Sequence, residues 1–291
     1  MRPKEQQARL PDGRTLRCVV SGSGGPLVVF EAGIGTGASM WATVQELVAK
    51  RAHTVAYDRA GYGRSSDDHL RRPFDRLTAD LAAMLEALDL KTPAVLVGSS
   101  LGTLILHSFA KAYPERVVGM IFVDPAVGDI LKRRQLTVIR TIYTVLTALS
   151  YLGLHRPLWS AMMRPVTSKM PPVDQAQLIQ DLCDKHTVRT AAREAYAVTY
   201  VPTLTEILAG LPKVPVVVML GEQADRGEAK GRAAMANIFR SAMQTYPGGQ
   251  FVPASHSGHF TPWQQPGLVA ETILRMLDTV RPGEVSPEAD R

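Results

Sequence analysis

Short apolar runs recur along the chain, at 26–31 (PLVVFE), 53–58 (HTVAYD), 93–98 (PAVLVG), 117–124 (VVGMIFVD) and 214–221 (VPVVVMLG). They are rich in Val, Leu and Ile and do not alternate with polar residues. Strands covered on both faces look like this, and such coverage belongs to a mainly parallel sheet with helices on either side. Between them the apolar spacing turns helical. Residues 77–90 place apolar side chains at 81, 84, 85 and 88, and 101–113 form a helical pattern that Pro114 ends. Near the end, Phe251 and Val252 lead through a loop to a helix predicted over about 266–280. Strand and helix in alternation predict the α/β class.

One segment interrupts the alternation. From about 127 to 210 no strand pattern is found, only helical stretches such as 136–154 and 188–200, separated by turns at Pro157, Pro165, Pro171 and Pro172. We read it as a helical insertion over the carboxyl edge of the sheet, where ligands bind in open α/β folds. The expected organisation is a core in two parts, 1–126 and 211–281, a helical cap at 127–210, and a polar, disordered tail at 282–291. The uncharged run 141–154 is too short to span a bilayer and is expected to be a packing face, with lipid contact as the alternative.

Composition narrows the classes. The 291 residues are 45% hydrophobic and 21% charged, enough for a large core. The formal net charge is +6, but Lys and Arg are scattered and no nucleic-acid motif accompanies them, so nucleic acid is not an expected partner. Cys18 and Cys183 lack the spacing of a zinc site or a disulfide framework, so no metal is expected. The first residues carry no apolar stretch of the signal-peptide kind, and a cytoplasmic location with no membrane contact is the expectation.

Candidate chemistry centres on VLVGSSLGTL, residues 95–104. Gly98 and Gly102 flank Ser100 in the spacing GxSxG, after a strand and before a helix. In such a turn the central serine is held strained and exposed, and the glycines let neighbouring backbone approach. Ser99, flanked by Val97 and Leu101, does not fit that geometry and is at most a neighbour of the site. A serine hydroxyl needs a base, and the base an orienting acid. Of seven histidines, His259 and His256 lie in the loop before the last helix; His259 is favoured because Gly258 permits a tight loop, leaving His256 a supporting role. For the acid, Asp225 follows a strand end and gives the chain order Ser, Asp, His. Glu222 and Asp124, each just past a strand, stay open as alternatives. The oxyanion donors expected are the backbone N–H groups of Leu101 and of Ile34, in the glycine-rich loop 31–41 (EAGIGTGASMW). That loop lacks the GxxxxGK[ST] pattern of a phosphate cradle.

Together EAGIGTG, YDRAGYGRSS (57–66), GSSLG, GEQAD and SGHF resemble the α/β-hydrolase superfamily, over about residues 8–281. The resemblance implies a mostly parallel eight-stranded sheet, a helical cap after the sixth strand, a Ser-His-Asp triad beneath it, and no cofactor. Members that act as dehalogenases or epoxide hydrolases use Asp as nucleophile, so Ser100 points away from those reactions. The family often has His before the glycine of its oxyanion loop; here Ala32 precedes Gly33, with Glu31 beside it. The expected function is a serine carboxylic-ester hydrolase acting on a hydrophobic small molecule. The same triad would also serve a lactonase, an amidase, a carbon–carbon hydrolase or a perhydrolase, or a slow-turnover small-molecule receptor.

Overall fold

The computed structural model describes residues 3–168, 170, 172–224 and 229–280. Eight strands form one sheet in the order β1-β2-β4-β3-β5-β6-β7-β8. They are β1 (Lys4–Arg9), β2 (Thr15–Ser21), β3 (Leu27–Glu31), β4 (His53–Tyr57), β5 (Ala94–Ser99), β6 (Val117–Val123), β7 (Val216–Gly221) and β8 (Gly249–Ala254). β1 pairs antiparallel with β2, and β2 antiparallel with β4, while every other pairing is parallel.

The first two strands were not among the predicted runs. β1 (KEQQAR) is exposed at five of its six positions and β2 alternates inward and outward, as antiparallel strands wetted on one face do.

The apolar strands are covered on both sides. Leu96, Met120, Phe122, Val216 and Val218 share one core with Leu81 and Met84 of helix 74–87, Leu104 and Phe109 of helix 101–112, and Phe239. The alternating positions Val95, Val97, Ile121, Val123, Val217 and Met219 fill a second core with Val44, Val48, Ile273 and Met276. Period-two alternation along each strand thus feeds two helical layers. Those layers are α1 (Ala42–Val48), α2 (Phe74–Ala87) and α3 (Leu101–Ala112) before the insertion.

Between β6 and β7 come five helices: α4 (Arg133–Tyr151), α5 (His155–Thr167), α6 (Pro172–Leu182), α7 (Lys185–Ala197) and α8 (Leu204–Ala209). They are the helical insertion expected after the sixth strand. The chain closes with α9 (Ala229–Thr245), the short α10 (Thr261–Gln264) and α11 (Pro266–Thr279). The tail 282–291 lies outside the described residues.

Candidate active site

Ser100 sits where β5 gives way to α3, with φ 51° and ψ −119°. A non-glycine residue in that region carries strain on the order of 1–3 kcal/mol, and its surroundings must enforce it. The Ser100 N–H donates to Val123 O on the neighbouring strand (3.1 Å), and its carbonyl accepts from Thr103 N (3.1 Å) and Ala126 N (3.2 Å). The flanking glycines are steric requirements. A Cβ on Gly98 would lie 2.8 Å from Leu106 Cδ1, and one on Gly102 would lie 2.6 Å from Glu31 O and 2.8 Å from Ala32 O. Gly102→Ala is therefore expected to push α3 off the backbone at Glu31 and Ala32 and to cost roughly 1–3 kcal/mol in urea unfolding, although the change adds only a methyl group.

The loop between β8 and α10 brings in the imidazole. His259 Nε2 is 3.2 Å from Ser100 Oγ, and its Nδ1 is 3.1 Å from Asp124 Oδ1. Gln264 Oε1 accepts from Gly258 N (2.8 Å), and the buried Ser257 hydroxyl bonds Thr261 Oγ1 (3.0 Å). The tight approach falls on Gly221 rather than Gly258: a Cβ on Gly221 would sit 2.0 Å from Gly258 O. The end of β7 and the histidine loop touch backbone to backbone.

Asp124 follows β6 and, like Ser100, has positive φ (48°). Its N–H continues the ladder to Met219 O (2.8 Å). Besides His259, its carboxylate accepts from Gly221 N (2.8 Å) and Arg232 Nη1 (2.9 Å). Burial alone would raise its pKa. The hydrogen bond and charge of His259, the Arg232 guanidinium and the Gly221 amide outweigh burial and hold Asp124 below the usual carboxylate range.

Chain order favoured a different acid. Asp225 lies outside the described residues, and the carboxylate on His259 Nδ1 is Asp124. Glu222 is exposed beyond β7, with its backbone N–H on Ala254 O. His256 is also exposed, its N–H donating to Gln265 Oε1 (3.0 Å). Ser99 is fully buried, and its Oγ has no hydrogen-bond partner among the described residues. Neither His256 nor Ser99 bonds to the Ser100–His259 pair.

Residues without an assigned role in the sequence reading order the loop that carries Ile34. Arg59 is buried and donates through Nη1 to Glu31 Oε1 (2.6 Å) and Ala32 O (2.8 Å), and through Nη2 to Gly33 O (3.0 Å). In a planar trans peptide the N–H points opposite to the C=O. With Gly33 O held on Arg59, the Ile34 N–H points away from the guanidinium. The next amide, Gly35 N–H, donates to Tyr62 Oη (3.2 Å).

The far side of the clamp is in the insertion. Glu194 of α7 accepts from Arg59 (3.0 and 2.9 Å), Tyr62 Oη (2.6 Å) and Arg72 Nε (3.1 Å). Arg59 and Arg72 keep the Glu194 carboxyl low despite burial. Burial raises Glu31, which also accepts from Tyr57 Oη. Arg59 belongs to the quoted segment YDRAGYGRSS, but its partner lies 135 positions away and no local pattern pairs them. Two insertion side chains also roof the loop: a Cβ on Gly35 would meet Leu182 Cδ2 at 3.1 Å and Tyr143 Oη at 3.3 Å.

A strained serine at a strand–helix turn, with imidazole and buried carboxylate in line, on a mostly parallel sheet carrying a helical insertion, defines a class. The chain belongs to the alpha/beta hydrolase family, whose profile matches residues 28–272. Among curated relatives, it is 35% identical over 108 residues to the uncharacterized protein YqjL of Bacillus subtilis, a stretch covering 37% of this chain and 43% of that one. It is 32% identical over 122 residues to a haloalkane dehalogenase of Mesorhizobium japonicum, covering 42% and 39%. The matches thus span about two fifths of these relatives' own length. Among solved structures, a thermophilic esterase of Thermogutta terrifontis superposes with a TM-score of 0.76 at 22% identity, over 95% of this chain and 99% of that one, a likeness of fold.

Proposed function

We propose that the protein is a serine hydrolase that cleaves a carboxylic ester of a hydrophobic small molecule. The observation that carries this reading is the unbroken line of contacts from Ser100 Oγ through His259 to Asp124. His259 Nε2 takes the hydroxyl proton as Oγ attacks the ester carbonyl, and Asp124 holds the imidazole tautomer and stabilises its charge. The oxyanion is met by the Leu101 N–H, at the start of α3 where backbone donors lack intrahelical partners, and by the Ile34 N–H. His259 then returns the proton to the leaving alkoxide. In the second half it takes a proton from the water that attacks the acyl–Ser100 ester and returns it to the departing Ser100 Oγ, releasing the carboxylic acid.

A serine nucleophile also bears on the choice among relatives. Attack on an alkyl halide would leave an ether on Ser100, which water does not cleave, whereas attack on a carbonyl leaves an ester, which it does. Leu182 above the Ile34 loop favours an apolar group there, and the Tyr143 hydroxyl beside it adds one polar contact. Turnover of p-nitrophenyl esters of increasing acyl length, beside a lactone and an anilide of matched size, tests the reading. Esters are expected to turn over fastest with repeated product release. Preference for the lactone or anilide, or a single turnover with retained ligand, would overturn it.

A further inference from the structure

The uncharged run 141–154 divides between two surroundings. Tyr143, Leu146 and Ser150 of α4 are buried against the rest of the molecule, as expected of a packing face. On the opposite face Val138 and Val145 are exposed, and at the end of α4 and in the turn that follows it Tyr151 and Leu152 are each 71% exposed and Leu154 55%. On α5, Leu154 leads into exposed Leu158 and Met162; positions spaced by four lie on one side of a helix. Arg156 and Arg164 are exposed on α5, and Arg133 and Arg134 are exposed at the N-terminal end of α4. Arg189 of α7 lies over the Tyr151 ring at 4.1 Å. Between Asp129 and Asp174 the sequence has no Asp or Glu.

We propose that this outer face of α4 and α5 docks on an anionic lipid surface. The two components of the patch identify the occupant jointly. Apolar side chains of this size enter the headgroup–acyl boundary, while long arginine side chains on the same two helices reach up to the phosphates, as on interfacial helices. A second copy of the chain fits poorly, because a two-fold contact through this face would set its arginines against one another with no acidic residue of α4 or α5 between them. A nucleic acid would use the arginines but leave the strip of Leu, Met and Tyr exposed. Among the described residues no helix is long and apolar enough to cross a membrane, so contact would be at the surface.

The test is vesicle flotation of the full chain carrying Ser100→Ala, so that no lipid is cleaved; binding is thereby read independently of the proposed hydrolysis. Phosphatidylcholine vesicles with phosphatidylglycerol are expected to retain the protein at low salt at least about tenfold better than phosphatidylcholine alone, and high salt is expected to release it. Adding Leu152→Asp with Leu154→Asp, or separately Arg156→Glu with Arg164→Glu, is expected to reduce binding about tenfold while circular dichroism stays unchanged. Equal binding to neutral vesicles, no binding to anionic ones, or undiminished binding by both double variants would overturn the proposal. So would a dimer in light scattering that Leu152→Asp with Leu154→Asp dissolves, which would assign the face to a second copy.

Discussion

Asp124→Asn is expected to lower kcat on a preferred ester by about 10⁴-fold, the scale of loss when a triad carboxylate becomes an amide. An amide at 124 can still accept from Gly221 N, but it can also donate to His259 Nδ1, stabilising the tautomer that leaves Nε2 protonated and unable to take the Ser100 proton. The fold should survive, because the backbone of residue 124 stays tied to Met219 O and Arg232 keeps its bond to Gly221 O (2.8 Å). Asp225→Asn should change kcat only a few-fold. The reverse pattern, with Asp225→Asn inactive and Asp124→Asn active, would return the acid to the position that chain order suggested.

The same substitution has a pH signature in stability. The Asp124 pKa is depressed in the folded protein, against burial, by His259, Arg232 and Gly221. A depressed carboxylate contributes stability that is present above the unfolded pKa, about 3.9, and lost as pH falls through the folded value. The stability difference between wild type and Asp124→Asn should therefore be full at neutral pH and begin to close only below about pH 4. Urea midpoints measured along an acid series check it. A difference that is flat through that range would contradict the assignment.

Arg59→Met is expected to produce the largest loss of stability of any single substitution considered. It removes the cation shared by Glu31 and Glu194, both buried, and leaves Glu194 with Arg72 alone and Glu31 with no cationic partner among the described residues. Breaking a buried pair by removing one partner costs about 3–5 kcal/mol. Activity should fall further than stability explains, since Gly33 O would lose its anchor and the Ile34 N–H its fixed direction. Glu194→Gln separates the two effects. It keeps shape and one acceptor, so the protein should remain folded, while kcat drops about tenfold with KM little changed, because an oxyanion donor acts on the transition state. Equal changes in KM and an unchanged kcat would show the clamp to be structural only.

The sheet and the strained serine turn were legible because their signals are local. Val and Leu runs covered on both faces cannot alternate, and a serine between glycines at a strand end states its own steric problem within five residues. β1 escaped notice because an edge strand with one buried residue, Ala8, has no apolar pattern to read. Asp124 is among the candidates the sequence offers but ranks there behind Asp225, because chain order is the guide. β6 pairs with β7, so residues just past the ends of both strands approach the histidine loop, and chain order does not say which one reaches it. The clamp from Arg59 to Glu194 was not legible at all, since nothing near either residue indicates that the insertion folds back to meet it.

The most direct test of Ser100 as nucleophile is intact-mass analysis after treatment with a fluorophosphonate. Wild type should gain one phosphonyl adduct, Ser99→Ala should gain it equally, because that side chain is buried away from the site, and Ser100→Ala should gain none. An adduct on Ser100→Ala at the wild-type rate would contradict the assignment.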